Sequence, residues 1–303
     1  MNKYLHALTD PGYLALGVLH KFGRHMSNDA LYIKLAYFFT FGKRLNLKNP
    51  KTFNEKQNWL KLYDRKPIYS VMADKVKAKD YVANIIGNEY IIPTLGVWDS
   101  PCDIDFDQLP NQFVLKCNHN SGKGMYICSD KSKMDVEKVK EELEAGLQED
   151  FFLNNREWPY KNIPRKVLAE KFMSDGSAKG LLDYKFFCFN GKPEIMFIAD
   201  DLSEHPHTDF FDMNFKRLEM RMHDPNSPKD KVIDKPKTFE KMKDFAALLS
   251  KGIPFLRVDF YEIDGHLYFG ELTFFHHGGL GEIHPDEYKM ILGDKIILPS
   301  KTV

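Results

Sequence analysis

The sequence predicts an α+β fold in which a mainly helical N-terminal lobe precedes a strand-rich lid and a C-terminal lobe built on antiparallel strands. Three observations lead to this prediction. Apolar residues recur three or four positions apart through the first hundred residues, short strands begin near residue 111, and a strand pair lies near the C-terminus. We therefore divide the 303 residues into a helical lobe (1–110), a lid with a glycine-bearing loop (111–180) and a C-terminal lobe (181–303).

Helices in the first lobe are predicted from apolar periodicity over 31–38, 53–62 and 69–81. Thr52 followed three residues later by Glu55 is the signature of a capping box. This pattern predicts that a helix begins directly after Thr52.

The chain then changes to alternating strand patterns separated by turn residues. Asn190-Gly191 is a strong hairpin signal between two of these strands. The predicted strands cover 113–116, 125–128, 166–170, 184–190, 194–199 and a strand pair within 255–275. The predicted helices cover 135–148 and 239–250, and 223–237 is predicted to be a loop.

Charge is balanced overall but uneven along the chain. The 43 basic side chains equal the 43 acidic ones, so the chain lacks the broad positive field of a nonspecific nucleic-acid binder. Residues 1–66 nevertheless carry twelve lysines and arginines against four acids. This stretch is interpreted either as a solvated helix face or as a surface for an anionic glycan or an acidic membrane.

The four cysteines predict reduced thiols, because they form no CxxC pair and a chain of this size needs no disulfide framework. The longest apolar runs, 13–19 and 35–41, fall far short of the about 20 residues that span a bilayer. The first residues also lack the small-residue cleavage site of a signal peptide. We expect a cytoplasmic protein from these features.

The first candidate site joins a lysine to a glycine-bearing loop. Lys116 ends the strand 113–116, and the polar loop 118–124 follows with Ser121 and Gly122 at its centre. Glycine lets backbone N–H groups approach phosphate oxygens closely, and the lysine adds a positive charge. The spacing is not that of a Walker loop, so a phosphate site here would be a flap between two strands. The alternative is an ordinary hairpin with an exposed lysine.

A second candidate site lies where one predicted strand ends and the next begins. Glu170 and Phe172 lie two positions apart at the end of the first strand, and Asp183 and Lys185 lie at the start of the second. Backbone groups at such an edge can hydrogen-bond an adenine, while Asp183 can accept hydrogen bonds from ribose hydroxyls. Taken without context, these acids are surface residues.

The third candidate site lies on the C-terminal strand pair. Arg257 and Asp259 share one face of the first strand, and Glu271 and Thr273 share one face of the second. Acids among aromatic strand residues are costly to bury unless a positive group lies between them. That group is either Arg257, in a structural ion pair, or magnesium held together with nucleotide phosphates.

The length of the turn decides whether these two faces coincide. A two-residue turn at Asp264-Gly265 would put Asp259 and Glu271 on opposite faces, whereas a three-residue loop beginning at Ile263 would bring them together. We predict the three-residue loop.

A string of further motifs accompanies these sites: NPKTFNEK at 49–56, WLKL at 59–62, DK at 74–75, VLKCNH at 114–119, DYK at 183–185 and GELTF at 270–274. Together they resemble the TupA-like ATP-grasp family of teichuronopeptide and capsular polysaccharide biosynthesis. The likeness covers about residues 30–295. It implies an ATP-grasp fold, with ATP clamped between the lid and the C-terminal lobe.

The resemblance also implies roles for the candidate residues. Those implied to bind ATP are Lys75, Lys116, Ser121, Gly122, Glu170, Phe172, Asp183 and Lys185. Those implied to hold magnesium are Asp259, Glu271 and Thr273, with Lys116 and Arg257 acting on the transferring group. The sequence departs from the wider superfamily at Thr273, where asparagine is usual, and at His276-His277, where related chains tend to carry Pro-Gly.

The resemblance implies a ligase that activates a carboxylate as an acyl phosphate, which an amine then attacks. The carboxylate would be a uronic acid of a cell-surface polysaccharide and the amine an amino acid, with peripheral contact to the membrane-bound polysaccharide machinery. The same motifs also fit a glycan kinase with a hydroxyl acceptor. Further alternatives are a glycosyltransferase, suggested weakly by Asp103-Ile104-Asp105, and a non-catalytic glycan-binding module. His205 and His207 could suggest zinc, but we expect a solvated loop there.

Overall fold

The computed structural model describes residues 11–176, 180–199 and 207–302. Its helices are α1 (Pro11–Phe22), α2 (Asp29–Phe41), α3 (Phe53–Tyr63), α4 (Ile68–Ala73), α5 (Lys77–Ile86), α6 (Val136–Leu147), α7 (Phe152–Asn155), α8 (Phe239–Leu249) and α9 (Glu287–Lys295). Its strands are β1 (Thr94–Trp98), β2 (Phe113–Cys117), β3 (Met125–Cys128), β4 (Val167–Lys171), β5 (Asp183–Phe189), β6 (Lys192–Ala199), β7 (Thr208–Asp212), β8 (Arg221–Met222), β9 (Phe255–Ile263), β10 (His266–Thr273) and β11 (Ile283–His284). The chain combines helices with antiparallel sheets, so the predicted α+β class is confirmed.

The predicted capping box is present at the start of α3. The Thr52 hydroxyl oxygen accepts a hydrogen bond from the Glu55 backbone N–H at 3.3 Å, and the Glu55 carboxylate accepts one from the Thr52 N–H at 3.0 Å. Helix α1 was not predicted, because apolar residues and glycine fill every position of 13–19 and hide the helical spacing. Within the described residues, no helix combines the length and apolar character needed to cross a bilayer.

The lid contains a four-stranded antiparallel sheet in the order β1-β4-β2-β3. Helix α6 covers one face, where Val139 and Leu143 are buried with Leu115 of β2 in a common core. The sheet takes its edge strand β1 from the segment that the sequence assigned to the helical lobe. The pairing of its five residues is irregular between Thr94 and Gly96, and this irregularity obscures the alternation of side chains between the two faces of the sheet.

The C-terminal lobe is built on a five-stranded antiparallel sheet in the order β10-β9-β5-β6-β7. Phe53, the first residue of α3, packs against Phe187 of β5 and Phe255 of β9, with ring centroids 6.0 and 5.1 Å apart. Burying one such ring stabilises the fold by about 2–3 kcal/mol. The helical lobe and this sheet therefore share one hydrophobic core.

The C-terminal hairpin turns in two residues, so the predicted three-residue loop is wrong. His266 pairs with Ile263, and the turn consists of Asp264 and Gly265, both with positive φ (54° and 75°). Positive φ at both turn residues matches the right-handed twist of the flanking strands, which favours this tight turn.

A β-bulge restores the arrangement that the longer loop was expected to produce. The register shifts between Phe269 and Leu272, so that Gly270 and Glu271 together oppose Asp259. The extra residue reverses the alternation of side chains beyond it. A Cβ at position 270 would lie 3.1 Å from the Asp259 carbonyl oxygen, so glycine suits the crowded bulge. The two acids consequently share one face.

The segment around His207 that was expected to be a solvated loop contains the buried strand β7, which corrects that expectation. Asp209 of this strand is buried and forms an ion pair with Arg217, whose guanidinium also donates to the Ser227 carbonyl oxygen at 2.5 Å. His205 lies outside the described residues. In the described part of the chain, no group of three or more His, Cys, Asp and Glu side chains is arranged to hold a metal ion.

Candidate active site

A cavity of about 440 Å³ opens where the loop after β2, the segment around α7 and the five-stranded sheet meet. Six of the residues predicted from sequence to form the site line this cavity: Lys75, Ser121, Lys185, Arg257, Glu271 and Thr273. The other predicted residues lie outside its lining. They are Lys116, Gly122, Glu170, Phe172, Asp183 and Asp259.

Lys75 joins the helical lobe to the glycine-bearing loop. Its ammonium donates a hydrogen bond to the Asn120 carbonyl oxygen, and its backbone N–H donates to the Asn118 carbonyl oxygen at 3.1 Å. The Asn118 amide in turn donates to the Asp74 carboxylate at 2.8 Å. Burial lowers the pKa of Lys75, while the nearby Glu271 carboxylate opposes that shift. The loop is therefore anchored with a lysine directed toward the cavity.

Lys116 and Glu170 contact each other, although the sequence suggested separate roles for them. The Lys116 ammonium forms an ion pair with the Glu170 carboxylate, and Lys79 of α5 pairs with the same carboxylate at 2.6 Å. Burial works to raise the pKa of Glu170, but the two ammonium groups hold it below its usual range. Glu170 is thus an ionised anchor for two lysines.

Lys185 connects the predicted ribose acid to the predicted metal acid. Its ammonium lies 2.8 Å from an Asp183 carboxylate oxygen and 3.4 Å from an Asp259 carboxylate oxygen. Although burial works to lower it, the two acids raise the pKa of Lys185. Lys185 therefore stays charged on the cavity wall.

Arg257 lies between the two acids predicted to hold magnesium. Its Nε donates to Asp259 Oδ1 at 2.8 Å and its Nη2 to Asp259 Oδ2 at 2.7 Å, a bidentate pairing. The same Nη2 donates to Glu271 Oε1 at 2.5 Å, and Oε1 also accepts from the Thr273 hydroxyl at 3.2 Å. The structural ion pair considered from the sequence is thus present. Hydrogen bonds connect Arg257, Asp259, Glu271 and Thr273 into one network.

The two acids differ in burial and in proton affinity. Asp259 is 1% exposed, and burial raises its pKa to about 6 despite the opposing Arg257 and Lys185 charges. The Glu271 side chain is 43% exposed toward the cavity. Burial works to raise its pKa, but Arg257, Lys75 and Lys185 hold it at about 2.

These side chains fit a magnesium site of the kind in which substrate and water supply most of the ligands. Their hard oxygen donors share one face of adjacent strands, which is the chemistry that magnesium prefers. Glu271 and Thr273 line the cavity, while Asp259 lies behind Arg257. The chain would therefore supply two carboxylates and one hydroxyl to the ion.

His276 has a contact that the sequence could not assign. Its Nδ1 lies 3.1 Å from Arg257 Nη1, and its ring packs edge-on against Phe187 at 4.9 Å. Burial, with the charges of His277 and Arg257, lowers the pKa of His276 well below its usual range. The neutral ring therefore accepts a hydrogen bond and orients the Arg257 guanidinium.

Sequence reasoning missed the side of the cavity formed by the segment that follows α7. Asn155, Glu157 and Tyr160 line it there, and Asp224 lines it elsewhere. No motif marks them. The available signal was the acid Glu157 within 151–160, a stretch rich in aromatic residues, since an acid buried in such surroundings needs a compensating partner.

The chain matches the family described as TupA-like ATPgrasp over residues 55–297, which is most of its length. This match defines an ATP-grasp protein, and the chain belongs to the TupA-like ATP-grasp family. The family and fold predicted from the sequence are therefore confirmed. No curated protein sequence matches the chain significantly.

Several solved structures are similar to the chain in fold. D-alanine–D-alanine ligase from Bacillus anthracis with ATP shows 16% identity and a TM-score of 0.40, over 67% of this chain and 53% of that one. The Helicobacter pylori D-alanine–D-alanine ligase shows 15% identity and a TM-score of 0.44, over 75% and 62%. L-amino acid ligase from Bacillus licheniformis shows 14% identity and a TM-score of 0.38, over 69% of this chain and 44% of that one. The chain thus spans about half the length of these proteins.

Proposed function

We propose that this protein is an ATP-dependent ligase that joins a carboxylate to an amine through an acyl phosphate. The observation that carries this proposal is the Arg257 guanidinium, which hydrogen-bonds both acids of the predicted magnesium site at the wall of the cavity. A fixed guanidinium at this point stabilises negative charge as it develops on phosphoryl and acyl oxygens. Membership of an ATP-grasp family supports the same function.

Each cluster has a part in this reaction. Lys75 and Lys116 would neutralise nucleotide phosphates, because both extend from anchored backbone next to the loop at Ser121 and Gly122. Arg257 would hold the carboxylate and the phosphoryl group in line. A site that positions both reactants lowers the barrier by removing the entropy cost of bringing them together.

Asp259, Glu271 and Thr273 would hold magnesium. When bound, that ion would neutralise phosphate charge and polarise the phosphoryl oxygens. Glu170 and Phe172 would line the adenine site, with Asp183 and Lys185 near the ribose. These assignments rest on the family motifs and on the ion pairs that connect the same residues.

The substrates we propose are a uronic acid of a cell-surface polysaccharide and an amino acid. This choice follows the resemblance that the sequence motifs at 49–56, 59–62 and 270–274 carry. We propose that the protein acts in the cytoplasm, where ATP is supplied. Its four cysteines are all free thiols, as expected for a reducing compartment.

We also propose that the N-terminal helices contact an anionic membrane, which would present a lipid-linked glycan. Leu14, Val18 and Phe22 recur four residues apart on α1 and are more than half exposed. Leu31 and Phe38 of α2 are also exposed. Apolar side chains beside lysines and arginines favour a membrane over a free glycan as the ligand. A membrane can bury the exposed apolar side chains of α1, whereas a soluble sugar cannot.

Hydroxylamine tests the ligase function directly. A carboxylate must become an acyl phosphate before an amine can displace its oxygen. With ATP, magnesium, an oligogalacturonate acceptor and hydroxylamine, we expect a hydroxamate, ADP and free phosphate. Colour formation with iron(III) measures the hydroxamate.

The alternatives give different products. Phosphate that stays on the acceptor as a stable ester would identify a glycan kinase. ATP raises the unfolding temperature of a ligase or a kinase, because a bound ligand stabilises the folded state. A glycosyltransferase or a glycan-binding module would show no such shift with ATP.

A further inference from the structure

Glu157 is a buried acid in the lining of the proposed active-site cavity. It lines the cavity together with Asn155 and Tyr160, and only 5% of its surface is exposed. The charges of Arg257 and Glu271 both act on its carboxyl group, so it lies within reach of the cavity wall that carries them.

The backbone that carries Glu157 is held firmly. The preceding residue, Arg156, adopts a left-handed conformation (φ 57°) and is 1% exposed. Its guanidinium donates to the carbonyl oxygens of Gly23 at 2.8 Å and Met26 at 3.1 Å, and it lies 4.3 Å from the centre of the Tyr32 ring. These contacts attach Glu157 to the N-terminal helices, so its position is set before any substrate binds.

Among the described residues, Lys61 and Arg257 both act electrostatically on Glu157, but each donates its hydrogen bonds to other groups. The Lys61 ammonium donates to the Gly278 carbonyl oxygen at 2.5 Å and to Asn58 Oδ1 at 3.1 Å. Arg257 is bonded to Asp259 and Glu271. No ion pair joins Glu157 to either of them in the described structure. A buried carboxylate in this situation favours a cationic ligand.

We propose that Glu157 binds the ammonium group of the amine substrate and accepts its proton. The inference rests on the ligase function proposed above. The proton passes from the ammonium nitrogen to a Glu157 oxygen, and the freed lone pair attacks the acyl carbon. The acyl C–O bond then breaks, phosphate leaves with the second N–H proton, and an amide remains.

This assignment gives two groups of cavity-lining residues opposite tasks. Arg257, Lys185 and Lys75 face the anionic phosphoryl group and carboxylate. Glu157 faces the cation. Burial raises the pKa of Glu157 to about 7, against the opposing charges of Lys61 and Arg257, and so favours proton transfer at neutral pH.

A purely structural role is the competing explanation, in which Glu157 only balances the buried charge of Lys61. The two roles differ in what they predict for charged and neutral nucleophiles. Methylamine is an ammonium ion at neutral pH, whereas hydroxylamine of almost the same size is mostly neutral. A structural role would affect both nucleophiles equally.

The test compares Glu157→Gln with wild type for both nucleophiles, using ATP, magnesium and oligogalacturonate. We expect amide formation from methylamine to fall by roughly tenfold or more, as loss of a charge-assisted hydrogen bond predicts. Hydroxamate formation should stay within about twofold of wild type, since neutral hydroxylamine has no ammonium proton for Glu157 to accept before it attacks. Equal losses for both nucleophiles, or no loss for either, would overturn the proposal.

Asp224→Asn is the matched control, because Asp224 lines the same cavity but is partly exposed and lies 3.9 Å from His223. If this variant alone lost the methylamine reaction, the amine site would lie at Asp224. Should Glu157→Gln fail to fold, Glu157→Asp keeps the charge beside Lys61 and moves the carboxylate by one methylene. It must also lose the methylamine reaction selectively.

Saturation-transfer NMR of the methylamine methyl protons gives a readout that does not depend on ligation. We expect transfer from wild type and Asp224→Asn, and its loss in Glu157→Gln. Absence of hydroxamate from wild type would refute the proposed function alone, because this binding signal would still report on the amine site. Transfer that persists in Glu157→Gln would refute the amine site alone.

Discussion

The Lys116 ammonium forms an ion pair with the Glu170 carboxylate across adjacent strands of the lid sheet. The sequence had assigned these residues to different parts of the nucleotide. Their contact indicates that Glu170 orients Lys116 and that both belong to one polar cluster, completed by Lys79 of α5.

We predict that Lys116→Ala weakens ATP binding by about tenfold, because it removes a phosphate-facing charge held on a rigid strand. Isothermal titration calorimetry measures the change. Lys133→Ala is the control, since its side chain is 83% exposed in the same subdomain. Equal affinity for ATP in wild type and Lys116→Ala would show that this lysine does not bind the nucleotide.

We predict that Asp259→Asn and Glu271→Gln both abolish turnover but differ in stability. Asp259 is buried against Arg257 and Lys185, so its replacement leaves their positive charges less compensated and should lower the free energy of unfolding by about 3 kcal/mol. Glu271 is partly exposed, and its loss should cost less than about 1 kcal/mol. ADP release and urea denaturation measure the two effects. Activity in both variants would reject the magnesium site.

We predict that Gly270→Val reduces both stability and turnover. A Cβ at this position would meet the Asp259 carbonyl oxygen at 3.1 Å and the Tyr261 ring at 3.2 Å, which disfavours the bulge. Without the bulge Glu271 would turn to the opposite face of the sheet. Thermal unfolding and ADP release test this. Gly17→Ala, where an added Cβ meets nothing within 4 Å, should leave both values unchanged.

We predict that vesicles containing phosphatidylglycerol bind the protein at low salt and release it as salt rises, because surface charge is screened. Changing Leu14, Val18 and Phe22 to serine should reduce co-sedimentation with the vesicles about tenfold. Val232→Ser removes an exposed apolar side chain elsewhere and should have no effect. Binding that survives the triple change would place the contact on another surface.

We predict that one thiol, Cys102, reacts with Ellman's reagent in the folded protein. Cys102 is exposed, whereas Cys117, Cys128 and Cys188 are buried. Burial raises the pKa of Cys117 to about 11 and of Cys188 to about 12, so neither forms a thiolate at pH 8. Guanidinium chloride should release all four thiols, and Cys102→Ser should abolish the native reaction.

The sequence by itself determined the fold class, most strands and the family, because these depend on patterns within short segments. The capping box at Thr52 and the hairpin signal at Asn190-Gly191 depend only on neighbouring residues, and both were located correctly. The short strands β1 and β7 were missed. They have little alternation of their own, and their pairing with distant strands defines them.

Only the tertiary structure decided which side chains meet. Asp259 and Glu271 share a face because of a bulge at Gly270, and a bulge depends on the register of the whole hairpin rather than on the turn alone. Glu157 reaches the cavity because Arg156 is buried among helices more than a hundred residues away in the chain. Such long-range contacts leave no periodic signal, since they depend on how separate elements pack.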